Sequence, residues 1–273
     1  MKTLYISDLD GTLLNKKARL SEESTRILSK LINKGMLFTI ATARSLSSLE
    51  IMRSLNIDLP CVQLNGVLMY DFSNGKYIGS TSIDPADARS VLEILRKNDR
   101  MSFVYKADAQ YGIHVEFEEL RNDVERQFFE VRKDKDYKSF SRVDNITAND
   151  DDNVIYFTMV DEYERLYPIY KMISEIPGVL PTLYSDNYSK LYFLEVFSSK
   201  ATKARGMMKI KDLVGADRVV AFGDNLNDIE MLQTADVGIA VGDAVDEVKK
   251  SADLIIGESY NDGVAKYLLD NFK

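Results

Sequence analysis

The stretch "YISDLDGTLL" (residues 5–14) decides how the rest of the chain is read. An apolar run, Leu4 to Ile6, gives way to two carboxylates, Asp8 and Asp10, and then to Gly11 and Thr12. The run reads as a buried strand over 3–7, and the acids stand where it stops. Like charges this close repel, so one carboxyl keeps its proton unless a cation or a division of labour separates the pair. Residues two apart in an extended chain face the same way. If extension persists past Ser7, Asp8 and Asp10 face the same side.

Outward from this stretch, strand and helix alternate. "SEESTRILSKLINKG" (21–35) predicts a helix, with Ser21 at its N-cap, Ile27, Leu28, Leu31 and Ile32 on one face, and Gly35 just past its end. A strand over 36–42, a helix over about 45–55 and a strand over 60–65 follow, closed by the turn pair Asn65–Gly66. The last third repeats the rhythm: helix 203–215, strand 218–224, helix 227–235, strand 237–241, helix 244–252, strand 253–256 and a closing helix 263–272. Such alternation predicts a parallel sheet with crossover helices. The middle reads differently, as a helix over 85–98, strands over 101–107 and 111–117, a charged helix near 118–131, an acidic loop over 144–153, a strand over 154–160, a helix over 161–175 and a paired 178–185 and 190–197. The expected fold is therefore α/β: a discontinuous Rossmann-like parallel-sheet core (1–82 and 198–273) with an inserted α+β domain (83–197).

The totals bound the function. With 273 residues, 45% of them hydrophobic, the chain can bury one large core or two smaller ones. A net charge of −8 offers no overall attraction to nucleic acid or anionic lipid. The single cysteine, Cys61, allows no internal disulfide and fits a reducing, cytoplasmic location. The N-terminus carries no signal-peptide core, and no apolar run approaches the roughly 20 residues a membrane span needs. The oligomeric state is not read from these features.

In open parallel sheets, ligands bind beyond the carboxyl ends of the strands. Asp8 with Asp10, Thr42, Asn65 and Asp224 all stand at such ends. Three carboxylates gathered from two strands are costly without a cation, and a hard divalent ion removes the cost. Mg²⁺ takes one or two carboxylates, waters and a phosphate oxygen, so the acids point to Mg²⁺ and Mg²⁺ to a phosphorylated substrate. Lys203 suits phosphoryl oxygens; Thr42, Asn65 and Asn227 supply neutral donors; backbone amides near Gly11 and Ala43 add more.

"DLDGTLL" (8–14), "ATAR" (41–44), "NG" (65–66), Lys203 and "GDNLND" (223–228) together resemble the haloacid dehalogenase superfamily, in particular its Cof-type sugar phosphatases with a large α/β cap. The tail "ADVGIAVGDAVDEVKKSAD" (235–253) is similar to that subfamily too. The resemblance implies that Asp8 is a nucleophile forming an aspartyl-phosphate and that Asp10 is the general acid, then base. It implies that Asp8, the Asp10 carbonyl and Asp224 hold Mg²⁺, that Thr42, Ala43, Asn65 and Asn227 contact the phosphoryl group or substrate, and that Lys203 neutralises charge. Asp228 would orient Lys203 or the waters on the metal. The cap would close over the cleft and select a small phosphorylated metabolite. Two positions depart from the pattern: Ala43 and Lys200 stand where the family commonly has glycine. Lys203 is preferred to Lys200 because it aligns with the family lysine counted from Glu195.

Plainer readings accompany each residue. Asp10–Gly11 is a common turn, Thr42 a helix cap, Asn65 a turn former, and Asp228 a first-turn acid. Arg44 is open between substrate contact and a surface salt bridge. His114 falls on the polar face of its strand with Glu116, and Cys61 reads as core. Neither acid cluster fits an EF-hand loop, and "GIAVG" is not a dinucleotide fingerprint. A phosphotransferase or mutase, or a phospho-ligand sensor without catalysis, would use much of the same site.

Overall fold

The computed structural model describes residues 1–46, 49, 54–134, 138–185 and 191–272. In chain order the elements are β1 (Thr3–Ser7), α1 (Glu22–Asn33), β2 (Leu37–Ile40), β3 (Pro60–Gln63), β4 (Leu68–Asp71), β5 (Lys76–Ser80), α2 (Pro85–Lys97), β6 (Phe103–Ala107), β7 (Ile113–Phe117), α3 (Asp123–Arg132), β8 (Lys138–Arg142), β9 (Val154–Asp161), α4 (Tyr163–Ser174), β10 (Val179–Ser185), β11 (Tyr192–Ser198), α5 (Lys203–Val214), β12 (Arg218–Gly223), α6 (Ile229–Thr234), β13 (Val237–Ala240), α7 (Asp246–Ser251), β14 (Leu254–Ile255) and α8 (Gly263–Asn271). They fall into two compact units, Met1–Lys76 with Ala201–Lys273, and Tyr77–Lys200. The sequence reading put the corresponding divisions after 82 and after 197.

The first unit is built on a five-stranded sheet in the order β14-β13-β12-β1-β2, parallel throughout. The helix signals act as read: Ser21 accepts from the Ser24 N–H at 2.9 Å, Ile27, Leu28 and Leu31 are buried, and Gly35 takes φ +92° after the last turn of α1. The helix expected over about 45–55 lies mostly outside the described residues. Among the described residues β3 joins this sheet through an isolated parallel bridge, Ala41 to Val62, and then pairs antiparallel with β4. The sequence reading left β4 and β5 unassigned; they are short strands that gain their pairing from β3 and the following hairpin turn rather than from a period of their own.

The second unit is a six-stranded mixed sheet, β10-β11-β9-β6-β7-β8. One face packs on α2 and α4, where Val91, Leu92 and Leu95 meet Leu166, Ile169 and Ile173 over Phe157 and Leu194. On the other face Phe128 of α3 stacks on Phe103, with centroids 4.7 Å apart. β8, "KSFSR", was not anticipated: it alternates weakly and exists by pairing parallel with β7. His114 is exposed there, bonded to Ser139 Oγ at 2.7 Å and Asp108 Oδ2 at 3.1 Å. The 144–153 stretch is a loop whose Asp152 pairs with Lys106.

Candidate active site

The parallel ladder sets the ends of three strands level. Ser7 aligns with Ile40 on one side and Phe222 on the other. The Asp8 N–H continues the ladder to the Phe222 carbonyl at 3.0 Å, and the Ala41 N–H to the Ser7 carbonyl at 3.0 Å. Asp8, Thr42 and Asp224 therefore leave the sheet side by side. Backbone bonds tie the β3 end to them: Thr42 N–H to the Val62 carbonyl and Asn65 N–H to the Thr42 carbonyl, each 3.0 Å. Asn65 and Gly66 turn the chain with φ of +54° and +106°. A Cβ at Gly66 would overlap the Thr202 backbone, so glycine there lets α5 begin close by.

Lys203, the first residue of α5, is 2% exposed and bridges two acids, with Nζ 2.7 Å from Asp8 Oδ1 and 2.7 Å from Asp228 Oδ1. Asp228 is engaged through both oxygens, because its Oδ2 accepts from the Asp224 N–H at 3.0 Å and the Asn225 N–H at 3.1 Å. Asp224 Oδ1 accepts from Thr12 Oγ1 at 2.6 Å. Carboxylate oxygens of Asp8, Asp224 and Asp228 lie within 4.8 Å of one another. Burial pushes the Asp8 carboxyl up to about 7 against the pull of Lys203, with Asp228 and Asp224 adding to the rise. Burial also raises Asp224, while Thr12 and a hydrogen bond with Asp8 hold it down. Burial works to lower Lys203, but the charges of Asp8 and Asp228 outweigh it and leave the ammonium raised.

Asp10 is the correction to the sequence reading. Extension does not persist past Asp8: Leu9–Leu13 closes a tight turn, with the Leu14 N–H on the Leu9 carbonyl at 2.8 Å and Gly11 at φ +81°. A Cβ at Gly11 would overlap the Asp224 carboxylate. The turn sends the Asp10 side chain to Arg44, Oδ2 to Nε at 2.7 Å and Oδ1 to Nη2 at 2.6 Å. The carboxylate that joins Asp8 and Asp224 is thus that of Asp228, not Asp10.

The remaining expected residues are placed as follows. Thr42 is buried and its Oγ1 accepts from the Arg44 N–H at 3.1 Å, while Ala43 beside it is exposed. Asn227 Nδ2 donates to Asn65 Oδ1 at 3.0 Å, joining two residues 162 positions apart. Lys200 is exposed, and the lysine bonded to Asp8 is Lys203. Thr12 was overlooked as a functional residue; its signal was its place in the "DLDGT" motif.

A divalent metal ion fits the donor set: hard carboxylate oxygens close together, with burial raising Asp8 and Asp224 in pKa. Asp228 is already committed to Lys203 and two amides, which leaves Asp8 and Asp224 as the side chains suited to hold the ion.

Comparison with known proteins gives the family. The profile of a family described as haloacid dehalogenase-like hydrolase matches residues 5–268. The chain belongs to the haloacid dehalogenase-like hydrolases. Among curated relatives of this hydrolase, 5-amino-6-(5-phospho-D-ribitylamino)uracil phosphatase YitU of Bacillus subtilis is 27% identical over 286 residues, covering 98% of this chain and 97% of its own. Pyridoxal phosphate phosphatase YbhA of Escherichia coli is 26% identical over 267 residues, covering 96% and 95%. A solved haloacid dehalogenase-like hydrolase from Bacteroides thetaiotaomicron shares the fold with a TM-score of 0.73 at 22% identity, with both chains covered completely. The hydrolase is of the Cof type, with its α+β unit inserted into the α/β core, and its activity is that of a phosphatase on small phosphorylated metabolites. No helix among the described residues is long and apolar enough to cross a membrane.

Proposed function

We propose that this phosphatase is magnesium-dependent and works through an aspartyl-phosphate on Asp8. The observation that carries the reading is the Asp8 carboxylate, held through Oδ1 by Lys203 and crowded by Asp224. In the first step Asp8 Oδ forms a bond to phosphorus, the ester P–O bond breaks, and the leaving alkoxide takes a proton from Asp10. In the second step Asp10 takes a proton from water, the water oxygen bonds to phosphorus, and the Asp8–phosphorus bond breaks to release inorganic phosphate. Lys203 offsets the charge that builds on the phosphoryl oxygens, and Thr42, the amide of Ala43, Asn65 and Asn227 orient them. Asp228 keeps Lys203 in place. Mg²⁺, held by Asp8, Asp224 and the Asp10 carbonyl, would supply positive charge to the same oxygens and keep Asp8 ionised. Phosphate-monoester hydrolysis is so slow unaided that enzymes accelerate it by up to about 10²¹-fold, so several electrostatic devices are expected in one site.

The substrate class we favour is the phosphate ester of a small alcohol. Sugar phosphates were the first expectation; the relatives named for a ribitylamino-uracil phosphate and for pyridoxal phosphate widen it to other small metabolites. The test is phosphate release with Mg²⁺ from p-nitrophenyl phosphate and a panel holding those two compounds and sugar phosphates. Turnover is expected on at least one, and Asp8→Asn is expected to lower it by about 10⁴-fold or more while the fold persists. Release that survives in Asp8→Asn would sink the reading.

A further inference from the structure

Arg44 follows Thr42 and Ala43 in the segment that leaves β2. Its peptide is fixed on both sides: the N–H donates to Thr42 Oγ1 at 3.1 Å, and the carbonyl accepts from the Leu64 N–H at 3.2 Å. From that anchor the guanidinium reaches Asp10, 34 positions away in sequence, through two parallel hydrogen bonds of 2.7 and 2.6 Å. The Arg44 side chain is 20% exposed and that of Asp10 53% exposed. The planar fork fixes the plane of a carboxylate as well as its position, which the point charge of a lysine does not. A carboxylate has about four lone-pair sites, and a bidentate arginine uses one on each oxygen. Among the described residues the arginine thus leaves a site on each Asp10 oxygen, and the carboxylate keeps an accessible edge, which proton transfer requires.

We infer that Arg44 is a positioning residue for Asp10, setting the carboxyl that moves the proton in fixed register with the phosphoryl group. The register follows from the chain itself. The turn that presents Thr42 and the Ala43 amide also carries the clamp, so the phosphate contacts and the proton carrier are located by one hydrogen-bonded segment. This assignment rests on the reading of Asp10 as acid and base given above. Of the two options the sequence left for Arg44, the salt bridge is the one present, and its partner is Asp10.

The test uses leaving groups of unequal need. p-Nitrophenolate departs without a proton, whereas the phenolate of phenyl phosphate profits from one. Because kcat/KM reads only the steps through the first P–O cleavage, it isolates the acid role from the later base role. Arg44→Met is expected to lower kcat/KM for phenyl phosphate by about 100-fold and for p-nitrophenyl phosphate by about 10-fold or less, within the range general acid catalysis spans. Arg44→Lys, which keeps the charge and loses the fork, is expected to show the same bias with a smaller loss, and decides the matter if Arg44→Met does not fold. Arg44→Met combined with Asp10→Asn is expected to be no slower than Asp10→Asn alone. Equal losses on the two substrates, or a further loss in the double variant, would overturn the inference. So would a slow Asp10→Asn beside an Arg44→Met of wild-type bias. If Asp10→Asn itself handles phenyl phosphate like the parent, the assignment of Asp10 has failed, a result distinct from failure of Arg44 alone.

Discussion

In the core unit Asp8, Asp224 and Asp228 crowd around a single ammonium, Lys203, while in the inserted unit Glu195 on β11 takes its hydrogen bonds from the hydroxyls of Tyr156 and Tyr184. Burial pushes the Glu195 carboxyl up, and the two phenols and the charge of Arg132 pull it part of the way back. Burial likewise drives the Tyr156 phenol well above its usual value. Two neutral donors therefore serve one carboxyl group, since a lone charge asks mainly for hydrogen bonds. Three carboxyls with one cation remain short of positive charge however well each is bonded. The core site is in this sense incomplete and the Glu195 site is not. The difference separates a place built to receive a charged ligand from a polar group settled within its own fold.

The widest test of that contrast is Lys203→Met. It leaves Asp8 and Asp228 buried without their shared partner, and such losses cost about 3–5 kcal/mol. Urea denaturation should show a drop of this order together with loss of phosphate release. A cost no larger than that of a surface substitution would mean that the acids are already protonated and the cluster is not short of charge.

A pH series sharpens the same point. The folded Asp8 carboxyl is pushed from its ordinary 3.8 to about 7, chiefly by burial, so the folded protein binds this proton more tightly than the unfolded chain. Stability of the metal-free protein should then fall as pH rises from about 4 to about 7 and level off above. Added Mg²⁺ should raise the melting temperature most at the upper end of that window, and Asp8→Asn should flatten the pH dependence. Melts followed by circular dichroism, with and without Mg²⁺, would reveal a metal-independent profile if the cluster takes no cation.

In the inserted unit, Tyr156→Phe removes one hydroxyl from Glu195 and should cost about 1–3 kcal/mol in urea, the usual range for a hydrogen bond to a charged group or for leaving its partner unsatisfied. Added Mg²⁺ should not recover it. Smallest of all, Lys200→Met alters an exposed side chain and should shift stability by less than about 0.5 kcal/mol. A loss rivalling that of Lys203→Met would reverse the choice made between the two lysines.

Periodicity and capping located β1, α1, α2, α5 and β12 to within a residue or two, because those signals act between neighbours in the chain. The same local reasoning placed Asp8 and Asp224 at the ends of adjacent strands, since a parallel ladder levels those ends. It did not reach the partners of Asp10 and Asp224, and Lys203 as a partner of Asp228 came from the family resemblance alone. A turn at Leu9–Leu13, made possible by Gly11 at φ +81°, brings the Asp10 carboxylate to Arg44 instead of into the Asp8–Asp224–Asp228 cluster. Thr12 meets Asp224 across 212 positions, and Lys203 meets Asp8 across 195. β8 is a strand only because β7 is beside it. Contacts of that reach depend on which strands the crossovers bring together and on where one glycine lets the backbone bend. Residue types within a short window carry no record of either.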